Sequence, residues 1–255
     1  MRTRAGSIEI ENAMIEIGFR PALPRLGLIL LATDMTTERD VARCIPGEMA
    51  AFHSTRVAYA NPTTPENLRK MLVHLGHAAE LILPGEPLRA ICYACTAATA
   101  VLGEEAIQAA IHAARPAVPV ITPLGAAARG FAARRVRRLA ILTPYLAETA
   151  LPVACFFADA GFDVLRATYL GMEDDRRMAE VDDATILAAS RAADHPEAEG
   201  LFISCTALPA MALADRIEAE IGKPVLTSNL ACIEELTAAA EGRLPTSSTN
   251  VGDSA

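Results

Sequence analysis

The chain repeats itself. An apolar run opened by an arginine, Arg25-Leu-Gly-Leu-Ile-Leu, is followed by Ile91-Cys-Tyr-Ala-Cys95-Thr96-Ala97 and then by Val118-Pro-Val-Ile-Thr122. The second half carries Arg138-Leu-Ala-Ile-Leu-Thr, then Leu201-Phe-Ile-Ser-Cys205-Thr206-Ala207, then Lys223-Pro-Val-Leu-Thr227. The interval from arginine to cysteine is 70 residues in one half and 67 in the other, and from cysteine to the closing threonine 27 and 22. Three strand-ending signals in the same order at near-equal spacing imply a duplicated unit.

Each unit reads as alternating strand and helix. The runs 26–31, 90–94, 118–122, 139–143, 164–168, 201–204 and 224–227 are almost continuously apolar, as parallel strands buried on both faces require. Ala-rich stretches between them predict helices over Pro65–Leu83, Glu104–Arg115 and Pro209–Ile221, with Leu68, Met71, Leu72, Leu75 and Ile82 on one stripe of the first. The fold class is therefore α/β: two similar lobes, each an open parallel sheet flanked by helices, related by a pseudo-two-fold with the site between them. We divide the chain into an N-terminal extension (1–24), a first lobe (25–122 plus about 228–242), a second lobe (123–227) and a flexible tail (243–255).

Composition narrows the partners. Of 255 residues 23 are basic and 31 acidic, giving a net charge of −8 with no basic block, so nucleic acid is set aside. No stretch approaches the roughly 18 uncharged apolar residues of a membrane span. Acidic residues interrupt the N-terminal apolar segment, so we read no export signal. The six cysteines are then reduced thiols of a cytoplasmic protein. Ile8, Ile10, Met14, Ile15 and Ile17 point either to a homo-oligomer contact or to packing on the first lobe.

Cys95 and Cys205 carry the chemistry. In open α/β sheets ligands sit beyond the carboxyl ends of the strands, and each cysteine stands where a strand ends and a helix is expected to begin. Unpaired N–H groups and the helix dipole would lower the thiol pKa there. The small residues that follow, Thr96 and Ala97 in one lobe and Thr206 and Ala207 in the other, leave room for a carboxylate. Two facing sulfurs could move a proton from one face of a carbon to the other without a cofactor. The bland alternative, a cysteine acting as a small core hydrophobe, is preferred for Cys44, Cys92, Cys155 and Cys232.

Other patterns are weaker. Cys92-x-x-Cys95 has redox spacing, but it places the wrong cysteine at the helix start and leaves Cys205 unexplained. The five histidines form no ligand set, so no metal is expected. Gly125-Ala-Ala-Ala-Arg-Gly130 has phosphate-loop spacing without the Lys-Ser/Thr that must follow. Asn61-Pro-Thr-Thr-Pro-Glu-Asn67 reads as a turn and helix cap rather than a substrate loop. Gly171-Met-Glu-Asp-Asp175 is either a rim loop donating a polar residue or an acidic loop before a helix.

These residues resemble the aspartate/glutamate racemase superfamily, in the branch that holds the maleate cis-trans isomerases, the arylmalonate decarboxylases and the racemase-like ectoine-utilisation proteins. The chain looks most like the last group. The match runs from about Arg25 to Leu236 and is carried by the two Cys-Thr-Ala motifs with Leu31–Asp40, Ala60–Leu68, Leu81–Pro87, Leu142–Tyr145 and Phe202–Leu208. The resemblance implies that Cys95 and Cys205 are the catalytic pair. It also implies that Tyr145 donates to a substrate carboxylate or enolate oxygen and that Thr96 and Thr206 line a carboxylate cradle. Decarboxylases of the branch keep only the second cysteine, so two cysteines favour racemase or isomerase chemistry. Thr33-Asp34 stands where the maleate isomerases have Ser-Asn. Asp34 would then meet a substrate ammonium, or else cap the turn that follows it.

The expectation is a cofactor-independent racemase or isomerase acting at the carbon next to the carboxylate of a small amino acid, an ectoine-breakdown intermediate by resemblance. The alternatives are maleate-type cis-trans isomerisation or arylmalonate-type decarboxylation, and, in another class, a non-catalytic small-ligand binding protein.

Overall fold

The computed structural model describes residues 12–244, so Ile8, Ile10 and most of the expected tail lie outside the described residues. Strands β1 (Arg25–Leu31), β2 (Ala51–Val57), β3 (Ala90–Tyr93) and β4 (Val120–Ile121) form a parallel sheet in the order β2-β1-β3-β4. Strands β5 (Arg138–Thr143), β6 (Asp163–Tyr169), β7 (Gly200–Ile203) and β8 (Val225–Thr227) form a second parallel sheet in the equivalent order β6-β5-β7-β8. The sequence repeat is thus a repeat of topology, and the two-lobed α/β expectation holds.

The central strands are fully buried, as their unbroken apolar runs require: Leu28, Ile29 and Leu30 of β1 and Leu139 through Leu142 of β5 have no exposed surface. The sequence reading passed over β2. Its residues Phe52-His-Ser-Thr-Arg56 are largely polar because β2 is an edge strand, in register with β1 on one side only and half open to solvent.

The helices are α1 (Thr37–Cys44), α2 (Pro65–Arg69), α3 (Leu75–Glu80), α4 (Thr96–Leu102), α5 (Glu104–His112), α6 (Pro123–Ala133), α7 (Ala147–Asp159), α8 (Asp175–Met178), α9 (Asp183–Ala193), α10 (Ala214–Ile221) and α11 (Ser228–Ala240). The single helix expected over Pro65–Leu83 is instead α2, a 3-10 turn at Leu72–His74 and α3. The stripe survives, with Leu68, Met71, Leu75 and Ile82 buried. Three-residue bonds such as Met71 N–H to Leu68 C=O at 3.1 Å tighten the path between the pieces. Likewise the helix expected from Pro209 begins as a 3-10 turn at Met211–Leu213, and α10 ends at Gly222, where φ of 68° suits glycine.

The glycine pair of the phosphate-loop pattern lies inside α6, where it serves packing. A Cβ on Gly125 would fall 1.9 Å from Glu104 Oε1, and one on Gly130 would fall 2.8 Å from Leu226 Cδ1. After β8, α11 crosses to pack on α1, β1, β3 and β4 while also lying along α6. Met14, Ile15 and Ile17 are exposed rather than packed on the first lobe. Among the described residues no helix is long and apolar enough to cross a membrane.

Candidate active site

Cys95 follows β3 and is the N-cap of α4, its sulfur accepting the Ala98 N–H at 3.4 Å. Cys205 follows β7 but heads no helix, since the chain bends through Thr206–Ala210 before turning at Met211. The expected helix dipole is therefore present at Cys95 and missing at Cys205. In its place, Cys205 adopts φ of 93°, a conformation that L side chains rarely take. The nearby Ala207 and Leu208 N–H groups favour its thiolate.

The motifs lock to each other across the lobes. Thr206 Oγ1 donates to Ala94 C=O at 3.1 Å, and Thr96 Oγ1 donates to Ser228 Oγ at 2.7 Å. Ser228 Oγ also accepts the Cys205 N–H at 3.0 Å. Thr36 Oγ1 donates to Ala207 C=O at 2.7 Å, and Asn229 Nδ2 donates to Thr206 C=O at 3.0 Å. The hydroxyls of Thr96 and Thr206, expected to line a carboxylate cradle, each donate to a protein atom. What this end of the site offers instead is backbone, because the N–H groups of a first helical turn have no intrahelical acceptor and Thr96 and Ala97 open α4.

Cys95 and Cys205 both line one cavity, together with Thr96, Ala97, Tyr145, Thr206, Ala207 and Asp34. Thr33 stands just behind the wall, donating to Asp175 Oδ2. The sequence reading missed Tyr59 and Thr63 and left Asp175 undecided; all three line the cavity. The segment 61–67 does cap a helix, Thr64 Oγ1 accepting the Asn67 N–H at 3.4 Å, yet it also turns Thr63 inward. Asn61 reaches over to the second lobe, donating to Asp174 Oδ1 at 2.6 Å and accepting the Asp175 N–H at 3.3 Å. The signal was a polar loop in each half, which composition alone assigns to solvent.

The cavity is small, about 20 Å³, the room of a single water. Among the described residues no lysine, arginine or histidine lines it, and no cluster of His, Cys, Asp or Glu is poised to hold a metal. Burial dominates its electrostatics. It pushes the Cys95 thiol up to about 12 against relief from the Ala98 N–H, with Cys205, Asp175 and Asp34 adding to the rise. Cys205 is pushed up to about 11, also by burial, while the Tyr145 hydroxyl and the Leu208 and Ala207 N–H groups pull the other way. The expectation of depressed thiol pKa values is therefore reversed: desolvation outweighs the local donors.

Tyr145 is buried, its hydroxyl within reach of Cys205 and 3.4 Å from Ser204 Oγ. Asp34 takes its cap role. Its Oδ1 accepts the Thr36 and Thr37 N–H groups, both at 2.9 Å, and its Oδ2 the Thr37 hydroxyl at 2.7 Å.

Two parallel-sheet lobes of like topology with a Cys-Thr-Ala turn from each at one cavity define a protein of the aspartate/glutamate racemase-like superfamily. The family model described as arylmalonate decarboxylase matches residues 101–250, and the chain belongs to that family. It is similar to the maleate isomerase of Nocardia farcinica, 28% identical over 80% of this chain and 85% of that one. It is 30% identical to the arylmalonate decarboxylase of Bordetella bronchiseptica over 44% of this chain and 48% of that one. Among solved structures it superposes on a cysteine-to-serine variant of the Nocardia farcinica maleate cis-trans isomerase with a covalently bound succinylcysteine intermediate. The TM-score is 0.78 at 25% identity, over 86% of this chain and 94% of that one. A liganded double variant of arylmalonate decarboxylase gives a TM-score of 0.76 at 24% identity, over 88% and 96%.

Proposed function

We propose that this chain is a cofactor-independent isomerase in which Cys95 and Cys205 act on a small carboxylate held between the lobes. The observation that carries the reading is that Cys95 and Cys205, one from each half, line the same cavity. The reading treats 25–122 with 228–242 as one lobe and 123–227 as the other. The similarity to maleate isomerases, which extends over four-fifths of the chain, favours cis-trans isomerisation over the racemisation that the sequence alone suggested. One thiolate sulfur bonds to an alkene carbon next to a carboxylate, and the other thiol gives its proton to the adjacent carbon. The former double bond turns as a single bond. Return of the proton and cleavage of the C–S bond then release the trans acid and restore the starting thiolate and thiol. Tyr145 donates to the sulfur or oxyanion that carries charge on the way, and the N–H groups of Thr96 and Ala97 face the carboxylate. Because the cavity holds about one water, the lobes or the loop carrying Thr63 must part to admit substrate.

Proton transfer at the carbon next to the carboxylate remains the second reading, favoured by the acidic lining residues Asp34 and Asp175. Proton NMR in D₂O separates the two, since isomerisation of maleate yields the trans-alkene signal and racemisation yields deuterium at one saturated carbon. Loss of turnover in both Cys95→Ala and Cys205→Ala is the expected result. Binding without turnover in the unaltered protein would make the chain a ligand-binding module instead.

A further inference from the structure

Asp175 has an oxygen with nothing to bond. The residue is 3% exposed, Oδ2 accepts the Thr33 hydroxyl, and Oδ1 is buried with no hydrogen-bond partner among the described residues. Buried polar atoms in folded proteins are nearly always paired, so each exception asks for a reason. Three other buried side-chain atoms among the described residues lack partners, His53 Nε2, Thr143 Oγ1 and Asn229 Oδ1, but none of those residues lines the cavity, whereas Asp175 does. The group is also held in place. Asn61 Oδ1 accepts its N–H at 3.3 Å, and the Thr63 N–H donates to Glu173 C=O at 2.9 Å, so the Asp175 loop is tied to the first lobe. A fixed, unpartnered acceptor on a residue that lines the cavity selects for a donor.

Charge points the same way. A second carboxylate, Asp34, lines the cavity, and among the described residues no cationic side chain does. Unlike Asp175, Asp34 has both oxygens engaged by the turn it caps. A dicarboxylate dianion would set one of its own carboxylates against Asp175 in a site of low dielectric, where like charges repel strongly. An N–H group in that position would fill the vacant acceptor.

Resting on the two-cysteine reading above, we infer that Asp175 is a specificity-determining residue whose free oxygen receives an N–H from the substrate. The acid taken by this site then carries an ammonium or a primary amide, and only one free carboxylate need face the backbone N–H groups of Thr96 and Ala97. The ammonium and amide sources share this chemistry, and the substrate panel tells them apart.

The test uses the purified full chain, with proton NMR in D₂O, on maleate, its monoamide maleamate, succinate and aspartate. Maleamate reports through its trans-alkene product and aspartate through deuterium at its α-carbon. The expected result is that one of the two N–H-bearing acids exceeds its dicarboxylate counterpart by at least tenfold in kcat/KM. Asp175→Asn, whose amide donates where the carboxylate accepts, should lower that value at least tenfold, chiefly through KM, and raise turnover of maleate. A wild-type preference for maleate, or an unchanged preference in Asp175→Asn, overturns the assignment and leaves the isomerase reading standing. If the variant does not fold, the ratio in the unaltered protein decides alone. Turnover of none of the four acids, or turnover that survives Cys95→Ala, overturns the isomerase reading and this inference with it.

Discussion

Thr96 Oγ1 donates to Ser228 Oγ at 2.7 Å, and that same oxygen accepts the backbone N–H of Cys205 at 3.0 Å. The residue after one cysteine and the backbone of the other therefore meet on a single atom at the start of α11. Ser228 has no exposed surface, so nothing replaces it when it is lost.

Ser228→Ala should accordingly leave the Cys205 N–H and the Thr96 hydroxyl unpaired. Each orphaned buried group costs about 1–3 kcal/mol, which denaturant unfolding would register as a lower midpoint at constant slope. Turnover should fall as well, by at least about tenfold, because small misplacements of reacting groups cost orders of magnitude. A stable Ser228→Ala with full activity would remove Ser228 from the account.

The φ of 93° at Cys205 makes a second prediction. A side chain held in such a region costs on the order of 1–3 kcal/mol, and glycine relieves it. Cys205→Gly should therefore be more stable than Cys205→Ala by about 1 kcal/mol, though both lose the sulfur and the proposed activity. Matched thermal melts of the two variants check this, and equal stability would mean that the turn is not strained.

The duplicated architecture was legible because buried parallel strands write themselves as apolar runs, and Leu28 to Leu30 and Leu201 to Ile203 have nowhere else to go. The cysteine pair was legible for a different reason: the same three residues follow a strand in both halves. Tyr59, Thr63 and Asp175 were hidden because they sit on loops whose neighbours are polar; Thr63 and Asp175 are buried where Asn61 and Thr63 bond across to Asp174 and Glu173, and Tyr59 is half-buried. The thiol electrostatics were misjudged for a related reason. A sequence shows the cap at Cys95 but not the enclosure that leaves it 4% exposed, and enclosure dominates.

That enclosure alters what thiol labelling should show. Rapid alkylation of Cys95 and Cys205 near neutral pH would need accessible thiolates, and both are buried with pKa values pushed up to about 12 and about 11. Cys44 and Cys155, expected as core hydrophobes, are instead exposed and should label first with iodoacetamide at pH 7, as peptide mass spectrometry would resolve. Cys205 should follow, then Cys95, each accelerating as pH rises. Fast modification of Cys95 at pH 7 would contradict the burial described here.

The same shifts predict how the fold responds to alkali. A thiol released by unfolding titrates near 9.0, whereas folded Cys95 and Cys205 hold their protons to about 12 and about 11. Below pH 9 both states keep the proton, so these thiols give no pH dependence there. Between 9 and the folded values only the unfolded chain has lost it, so stability falls as pH rises, by about 1.4 kcal/mol per pH unit for each thiol. Buried Tyr93 and Tyr145, also raised by burial, steepen the loss above their ordinary value of 10.0. Cys95→Ala and Cys205→Ala should each flatten the decline between pH 9 and 11, and the double variant more so, when urea unfolding is followed at successive pH values. A double variant that loses stability with pH as steeply as the unaltered protein would show that these two sulfurs are not held as neutral thiols in the folded chain.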